Sequence, residues 1–343
     1  MRYKFFTNSE KTWKAMFEAI SGAKESVYLE MYIFTDDMNQ YDFLKLLKEK
    51  ARNGLRIRII LDSVGSMNFS NDGVVGLKEA GAELYFYSYF LHRTHRKILV
   101  VDERRAFIGG VNFGKNYRHW DDLVVEVKGR LVKHIIRSFA KVYIESGGKD
   151  QRILAQNKII ILDKTRTWLV EHFPSKISLK KIYKEHINAA KEKIIIITPY
   201  FVPNRWLVGT LHQAVLRGVR VEVLVPKTTE DIYFLVNNIN YFYMLKLSRL
   251  GINFYLSPTM NHSKAMIIDG REAIVGSQNI DFLSFDFMNE IGVFLKDAKA
   301  VKKLLEIYDK WKNDAKLLDF KTYKPKWFDY IISPIFSIFS SIF

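Results

Sequence analysis

The sequence predicts an α/β protein of two tandem lobes, each a β-sheet flanked by helices, with a functional site where the lobes meet. Stretches of helical and of strand periodicity alternate along the chain, the pattern of helices packed on a sheet. The whole order recurs once, offset by 167 residues at both its first segment and its last. Each copy carries the same short polar motif, so the duplication supplies two equivalent half-sites that can face each other across a pseudo-two-fold axis.

The copies align segment by segment. AISGAKESVYLEMYIF (19–34) matches HINAAKEKIIIITPYF (186–201). In each, a helical stretch ends at Ala-Lys-Glu and runs into a strand. KEKARNGLRIRIILD (48–62) then matches HQAVLRGVRVEVLVP (212–226). Gly54 and Gly218 stop a helix there, and an alternating or fully apolar strand follows. Gly81 and Gly251 each precede another short strand. HRKILVVD (95–102) and HSKAMIID (262–269) come next. The stretch 145–156 has two adjacent glycines and little periodicity, so the boundary is placed in it. The expected units are residues 1–148, residues 149–320, and a basic then apolar tail over 321–343.

Composition narrows the function. With 343 residues, 48% hydrophobic and 26% charged, the chain has enough apolar material for two cores and is not disordered, collagen-like or coiled coil throughout. Fifty-three basic residues against 37 acidic ones leave a net charge of +16. That favours an anionic partner: nucleic acid, an anionic membrane surface or a phosphate-bearing substrate. The absence of cysteine excludes disulfides, zinc–thiolate sites and a cysteine nucleophile. No signal peptide is read at the N-terminus, and no apolar run reaches about 18 residues, so no spanning helix is expected.

The chemistry lies in the two matched motifs. One is His95, Lys97 and Asp102 followed by Gly110 and Asn112; the other is His262, Lys264 and Asp269 followed by Ser277 and Asn279. In both, His to Lys is two positions, Lys to Asp five, and Asp to Asn ten. Residues two apart on a strand share a face, so each His–Lys pair projects together. Gly110 and Ser277 sit in turns that permit close approach to a ligand, and Asn112 and Asn279 add amide donors. Asp102 and Asp269 complete the motifs at the strand ends, where they brace the turn. Two imidazoles, two ammoniums and two amides at one point suit a phosphodiester. Fixed donors neutralise its oxygens while one His attacks phosphorus and the other protonates the leaving alkoxide. With eight histidines, about 0.1 such spacings are expected by chance.

The paired H-x-K-x4-D motifs, each followed by a Gly turn and Asn, resemble those of the phospholipase D superfamily over roughly residues 10–315. The second half looks most like bacterial cardiolipin synthases, on Ile197-Thr-Pro-Tyr-Phe-Val-Pro-Asn204, on Gly276-Ser-Gln-Asn-Ile-Asp281 and on Asn289-Glu290. The resemblance implies two phospholipase D-like lobes, each a mixed β-sheet flanked by helices, with the active site at their interface. It implies phosphatidyl transfer with phosphatidylglycerol as donor and acceptor, a covalent phosphohistidine, and neither metal nor cofactor. The sequence itself shows no metal-binding motif. The resemblance also implies a carboxylate orienting each histidine. Asp122 follows His95 by 27 residues and Glu290 follows His262 by 28, in equivalent repeat positions; Asp121 competes with Asp122 for the role. Choosing His95 as nucleophile follows the commoner family assignment.

The remaining histidines (92, 119, 134, 172, 186 and 212) have no counterpart in the repeat and are read as surface or core residues, with His92 near the pocket mouth. The aromatic-rich segment 231–250 reads as a half-buried helix, or as the lining of a lipid entrance. Tyr330–Phe343 contains nine Tyr, Ile or Phe in 14 residues behind lysines 321, 324 and 326. A helix of that length spans about 21 Å, which suits an interface anchor and not a span. The expected partners are a phospholipid substrate and an anionic membrane surface, at the cytoplasmic face of a bacterial-type membrane, with no obligate protein partner. Two other enzyme readings stay open on the same motifs: hydrolysis of the lipid by water, and cleavage of nucleic acid, which the charge fits equally well. A non-catalytic phosphate- or membrane-binding scaffold is a third, disfavoured because a binder needs no second histidine.

Overall fold

The computed structural model describes residues 2–38, 40–88, 92–156, 167–175, 178–227 and 234–319. The first lobe runs β1 (Arg2–Asn8), α1 (Ser9–Ser21), β2 (Ser26–Met31), α2 (Phe43–Arg52), β3 (Arg56–Asp62), α3 (Asn71–Glu79), β4 (Glu83–Tyr87), β5 (Arg93–Thr94), β6 (Ile98–Val101), β7 (Arg105–Gly109), β8 (Asp121–Lys128) and α4 (Arg130–Glu145). After a short α5 (Gln151–Leu154), the second lobe runs β9 (Thr167–His172), α6 (Ser178–Ala189), β10 (Lys193–Ile197), β11 (Phe201–Val202), α7 (Arg205–Leu216), β12 (Arg220–Pro226), α8 (Phe234–Ser248) and β13 (Asn253–Ser257). It continues with β14 (Ala265–Ile268), β15 (Glu272–Gly276), β16 (Ile280–Asp281), α9 (Phe282–Asp286), β17 (Met288–Leu295), α10 (Ala298–Asp314) and β18 (Lys316–Leu317).

Both sheets are mixed. The first has strand order β1-β8-β7-β6-β2-β3-β4, and the second contains β13-β12-β10-β14-β15-β17 in the matching positions. β2, β3 and β4 are parallel, as are β10, β12 and β13, while the motif strands β6 and β14 run antiparallel to β2 and β10. The buried parallel strands are Ile- and Val-rich because helices cover both faces. β1 and β9, which lie outside the helix–strand order expected from the sequence, occupy equivalent positions beside β8 and β17.

Strand alternation sorts the core into layers. Val100 and Ile267 point to a central cluster with Phe139 of α4 and Leu304 of α10, shared between the two sheets. Leu99 points the other way, to Trp13, Leu46 and Leu77 on the helices of lobe one. Met266 does the same toward Leu207 and Leu211 in lobe two. The shared middle layer holds the lobes in one orientation, so parts of a site contributed by both stay in register. Local chemistry sets the element ends. Asn8 accepts the Lys11 N–H at 2.9 Å and starts α1. Gly54 and Gly218, at φ of 82° and 85°, let the chain turn back from α2 and α7 into the next strand.

The segment expected as a helix over 231–250 is α8 from Phe234 onward; residues 231–233 lie outside the described residues, as does the tail proposed as an anchor. No helix of the described residues is long and apolar enough to cross a membrane.

Candidate active site

The two motif histidines meet in one cavity of about 780 Å³ between the lobes, which Asn112 and Asn279 also line. His95 lies between β5 and β6, and His262 just before β14, rather than within one regular strand as the i, i+2 spacing suggests. The reason is an exchange between lobes. β5 leaves its own lobe and pairs in parallel with β17, and the His95 N–H donates to the Asn289 carbonyl at 3.0 Å. Reciprocally, Asn261 bridges Asp121, and the His262 N–H donates to the Asp121 carbonyl at 2.7 Å.

This exchange crosses the carboxylates. His95 Nδ1 is 3.0 Å from Glu290 Oε1, and His262 Nδ1 is 2.9 Å from Asp122 Oδ2. The sequence placed each acid after its own repeat's histidine; the structure gives each acid to the other lobe's histidine, because β17 and β8 deliver residues 290 and 122 directly beyond the backbone partners of His95 and His262. All four side chains are buried. Asp121, the competing acid, instead accepts from the Thr259 hydroxyl at 2.9 Å. With Nδ1 of each ring engaged, bond making and proton transfer fall to Nε2.

The two pairs are electrostatically unequal. Burial pushes the Asp122 carboxyl up to about 7, against the pull of Lys264, the Leu123 N–H and Lys97. Burial acts on Glu290 too, but His95, Lys97 and the Ser277 hydroxyl outweigh it and hold Glu290 below the usual carboxylate range. Both imidazoles sit below their ordinary value, first from burial and then from the neighbouring lysines, His262 more strongly than His95. Lys97 is itself held well below the usual lysine range by burial and by Lys264. Burial and mutual repulsion thus suppress positive charge in the site, which an entering phosphate monoanion would relieve.

Lys97 Nζ donates to the His95 carbonyl at 2.8 Å, and Lys264 Nζ donates to the His262 carbonyl. Gly110 and Ser277, expected to meet the substrate, stand behind the carboxylates instead. A Cβ on Gly110 would lie 2.2 Å from Asp122 Oδ1, and Ser277 Oγ donates to Glu290 Oε2. Asp102 and Asp269 lie away from the cavity. Asp102 accepts the N–H groups of Lys24, Glu25 and Ser26 at 2.8–3.1 Å, and Asp269 those of Lys191, Glu192 and Lys193 at 2.8–2.9 Å. Each ties the hairpin after the motif strand to the start of β2 or β10.

Several site residues carried no signal in the repeat. The Tyr32 ring stands edge-on to His95, 4.8 Å between centroids, with Lys97 Nζ 4.9 Å from the same ring. Trp120 flanks His262 at 5.4 Å. Arg96, wholly buried, pairs with Glu30 at 3.3 Å, and Glu30 accepts from the Thr94 hydroxyl, so the chain is pinned on both sides of His95. The second motif has Ser263 in place of Arg96, which is why comparing the copies does not reveal it. Both lobes contribute polar and apolar lining: Asp36, Asp37 and Asn68 beside Val64 and Met67 from lobe one, and Asn279 and Asp281 beside Val202, Phe282 and Met288 from lobe two. Ile239 brings α8 into the wall. His92 is not among the lining residues. His172 is buried, and His186 pairs with Glu272.

The fold and motifs match known proteins. The chain is 31% identical to the "Probable cardiolipin synthase YwiE" of Bacillus subtilis over 320 residues, covering 88% of this chain and 64% of that one. It is 29% identical to a cardiolipin synthase of Geobacillus kaustophilus, covering 94% of this chain and 68% of that one. The chain therefore spans about two thirds of the length of these relatives. Among solved structures, phosphatidylserine synthase of Haemophilus influenzae superposes with a TM-score of 0.77 at 15% identity, covering 99% of this chain and 93% of that one. Polyphosphate kinase of Porphyromonas gingivalis superposes at 0.66 and 12% identity, covering all of this chain and 54% of that one. The domain family described as "Cardiolipin synthase, PLD-like domain" matches residues 16–143 and again 183–311, one copy in each lobe. On these matches and the duplicated fold, the chain belongs to the cardiolipin synthase PLD-like family of the phospholipase D superfamily.

Proposed function

We propose that the chain is a phosphatidyltransferase that makes cardiolipin from two molecules of phosphatidylglycerol through a covalent phosphohistidine. The observation that carries this reading is the crossed pair of imidazoles, both opening on one cavity and both braced at Nδ1 by a buried carboxylate. The names of the relatives support the substrate. The mixed lining of the cavity also supports it, since a glycerol headgroup and acyl chains ask for both polar and apolar surface.

In the proposed reaction His95 Nε2 attacks the phosphorus of the donor, and the bond from phosphorus to the glycerol headgroup oxygen breaks. His262 gives its Nε2 proton to that oxygen, and glycerol leaves. Neutral His262 then takes the proton from a glycerol hydroxyl of the acceptor lipid. The acceptor oxygen attacks phosphorus, the P–N bond breaks, and His95 returns neutral. What supports His95 as the nucleophile is the ionised Glu290 behind it, which offsets the positive charge the ring gains on attack. His262 takes up its proton when the phosphate monoanion enters among Lys97 and Lys264. The two lysines and the amides of Asn112 and Asn279 hold the phosphoryl oxygens. Asp122 and Glu290 orient the rings, Gly110 and Ser277 support those acids, and Asp102 and Asp269 brace the motif strands. The scheme calls on no cofactor.

The test is an assay in EDTA with phosphatidylglycerol vesicles and separation of the lipid products. Cardiolipin appearing with free glycerol, and lost in His95→Ala, is the expected outcome. Phosphatidic acid alone would make water the acceptor and the chain a phospholipase D. No lipid product would sink the lipid reading and turn attention to single-stranded nucleic acid.

A further inference from the structure

Exposed apolar side chains gather at the mouth of the central cavity. Val64 and Met67, on the segment after β3, are 46% and 71% exposed, and Leu283, on α9 of the other lobe, is 41% exposed. All three line the cavity that holds His95 and His262. Single exposed apolar residues are ordinary, but three from opposite lobes around one opening form a rim. α8 reaches the cavity wall through the buried Ile239. Its sequence, FLVNNINYFYMLKLS, has one charged residue in 15, and Tyr241 and Phe242 are only half-buried. Those two rings pack against the core of lobe two, so the helix itself is held by the protein and only the rim side chains are left to the surroundings.

We infer that this rim is the face on which the protein docks on an anionic phospholipid bilayer, with Val64, Met67 and Leu283 entering the interfacial layer and the cavity opening onto the headgroups. The inference rests on the lipid-substrate reading and goes beyond it by stating how the substrate arrives. Continuity of rim and cavity lets a phosphodiester move from bilayer to histidines without passing its acyl chains through water. The net charge of +16 complements anionic headgroups. Lys115, on the cavity wall with its side chain 65% exposed, reaches this edge too, where it lies 3.7 Å from Asp37. A protein partner fits less well, because three side chains around an open hole fall far short of the roughly 800 Å² per side of a stable protein interface.

The chain has no cysteine, so a single introduced thiol reports one position. Met67→Cys and Leu283→Cys, labelled with an environment-sensitive fluorophore, are compared with Leu216→Cys. Leu216 is 65% exposed and ends α7, which runs from the cavity side of the sheet back to the start of β12, so it lies at the far end of lobe two. On vesicles of equal phosphatidylglycerol and phosphatidylcholine, the labels at 67 and 283 should shift to the blue and be quenched by brominated acyl chains, while the label at 216 stays in water. Labels at 67 and 283 that stay in water while the protein sediments with vesicles overturn the inference, and so does a protein that does not sediment. The triple variant Val64→Asp, Met67→Asp, Leu283→Asp, with its fold checked by circular dichroism, should partition at least tenfold less at about 0.5 M salt, where charge attraction is screened. Equal partitioning overturns the inference. Neither readout uses turnover: docking by this rim without any phosphatidyl transfer would end the catalytic reading and leave the docking face standing.

Discussion

Glu290 of the second lobe holds Nδ1 of His95 of the first at 3.0 Å, and Asp122 of the first holds His262 of the second at 2.9 Å. Neither lobe therefore contains a complete histidine–carboxylate pair. The lobes form the pairs only when docked through their shared core, and each pair can be tested separately.

The two histidines should fail differently. His95→Ala is expected to abolish turnover by at least a thousandfold and to leave no acid-labile phosphoenzyme after incubation with labelled donor lipid. His262→Ala should lose turnover of phosphatidylglycerol but recover much of it on a phosphodiester with a nitrophenolate leaving group, which needs no proton. Label trapped on His262 in the wild type would reverse the two roles.

The crossed acids extend that test. Asp122→Asn should behave like His262→Ala and be rescued by the nitrophenyl substrate. Glu290→Gln should not be rescued, because it weakens the attacking ring. If Glu290→Gln is the rescued variant instead, the acids serve the opposite roles.

The supports of the two acids differ and should respond differently. Ser277→Ala removes a donor to ionised Glu290 and is expected to lower kcat about tenfold, from the loss of one charge-assisted hydrogen bond worth about 1.5–3 kcal/mol. Gly110→Ala adds a Cβ 2.2 Å from Asp122 Oδ1 and 2.8 Å from the His262 carbonyl, so it should displace His262 and cost more, about a hundredfold. Full activity in Gly110→Ala would show that the Asp122 carboxylate moves aside at no cost.

Asp269 offers a stability test. Burial raises its carboxyl, but the N–H groups of Lys193, Lys191 and Glu192 outweigh this and hold it below its ordinary 3.8. Its folded value is depressed, so its contribution is present above the unfolded value and is lost as pH falls through the folded one. Asp269→Asn should therefore destabilise in urea unfolding at pH 7, by on the order of 1 kcal/mol because solvent screens this partly exposed carboxylate. The gap to wild type should narrow toward pH 3. A gap independent of pH would show that the charge of Asp269 contributes nothing.

His95 adds a kinetic sign. Because burial and Lys97 hold its imidazole below 6.5, it stays neutral and nucleophilic into mildly acid solution, and the acid limb of kcat/KM should fall below pH 6.5. Glu290 raises His95, so Glu290→Gln should move that limb lower still. A limb above 6.5 in the wild type would contradict the depressed value.

The duplication, the alternation of helices and strands, and the two polar motifs are legible in the amino-acid order alone, because all three are periodic signals along one chain. Apolar spacing of two or of about 3.6 is local, and a copied motif needs no fold to be seen. The amino-acid order also shows that residues 122 and 290 are equivalent. Which histidine each serves is set by the packing of the lobes, because it depends on β5 pairing with β17 across the lobe boundary, a contact between residues nearly 200 positions apart in the chain. The same limit hid Tyr32, Trp120 and the Arg96–Glu30 pair, each of which reaches the site through burial and not through a repeated spacing. It also misplaced Gly110 and Ser277: a turn beside a motif reads as open to ligand until the strand carrying the carboxylate is seen packed against it.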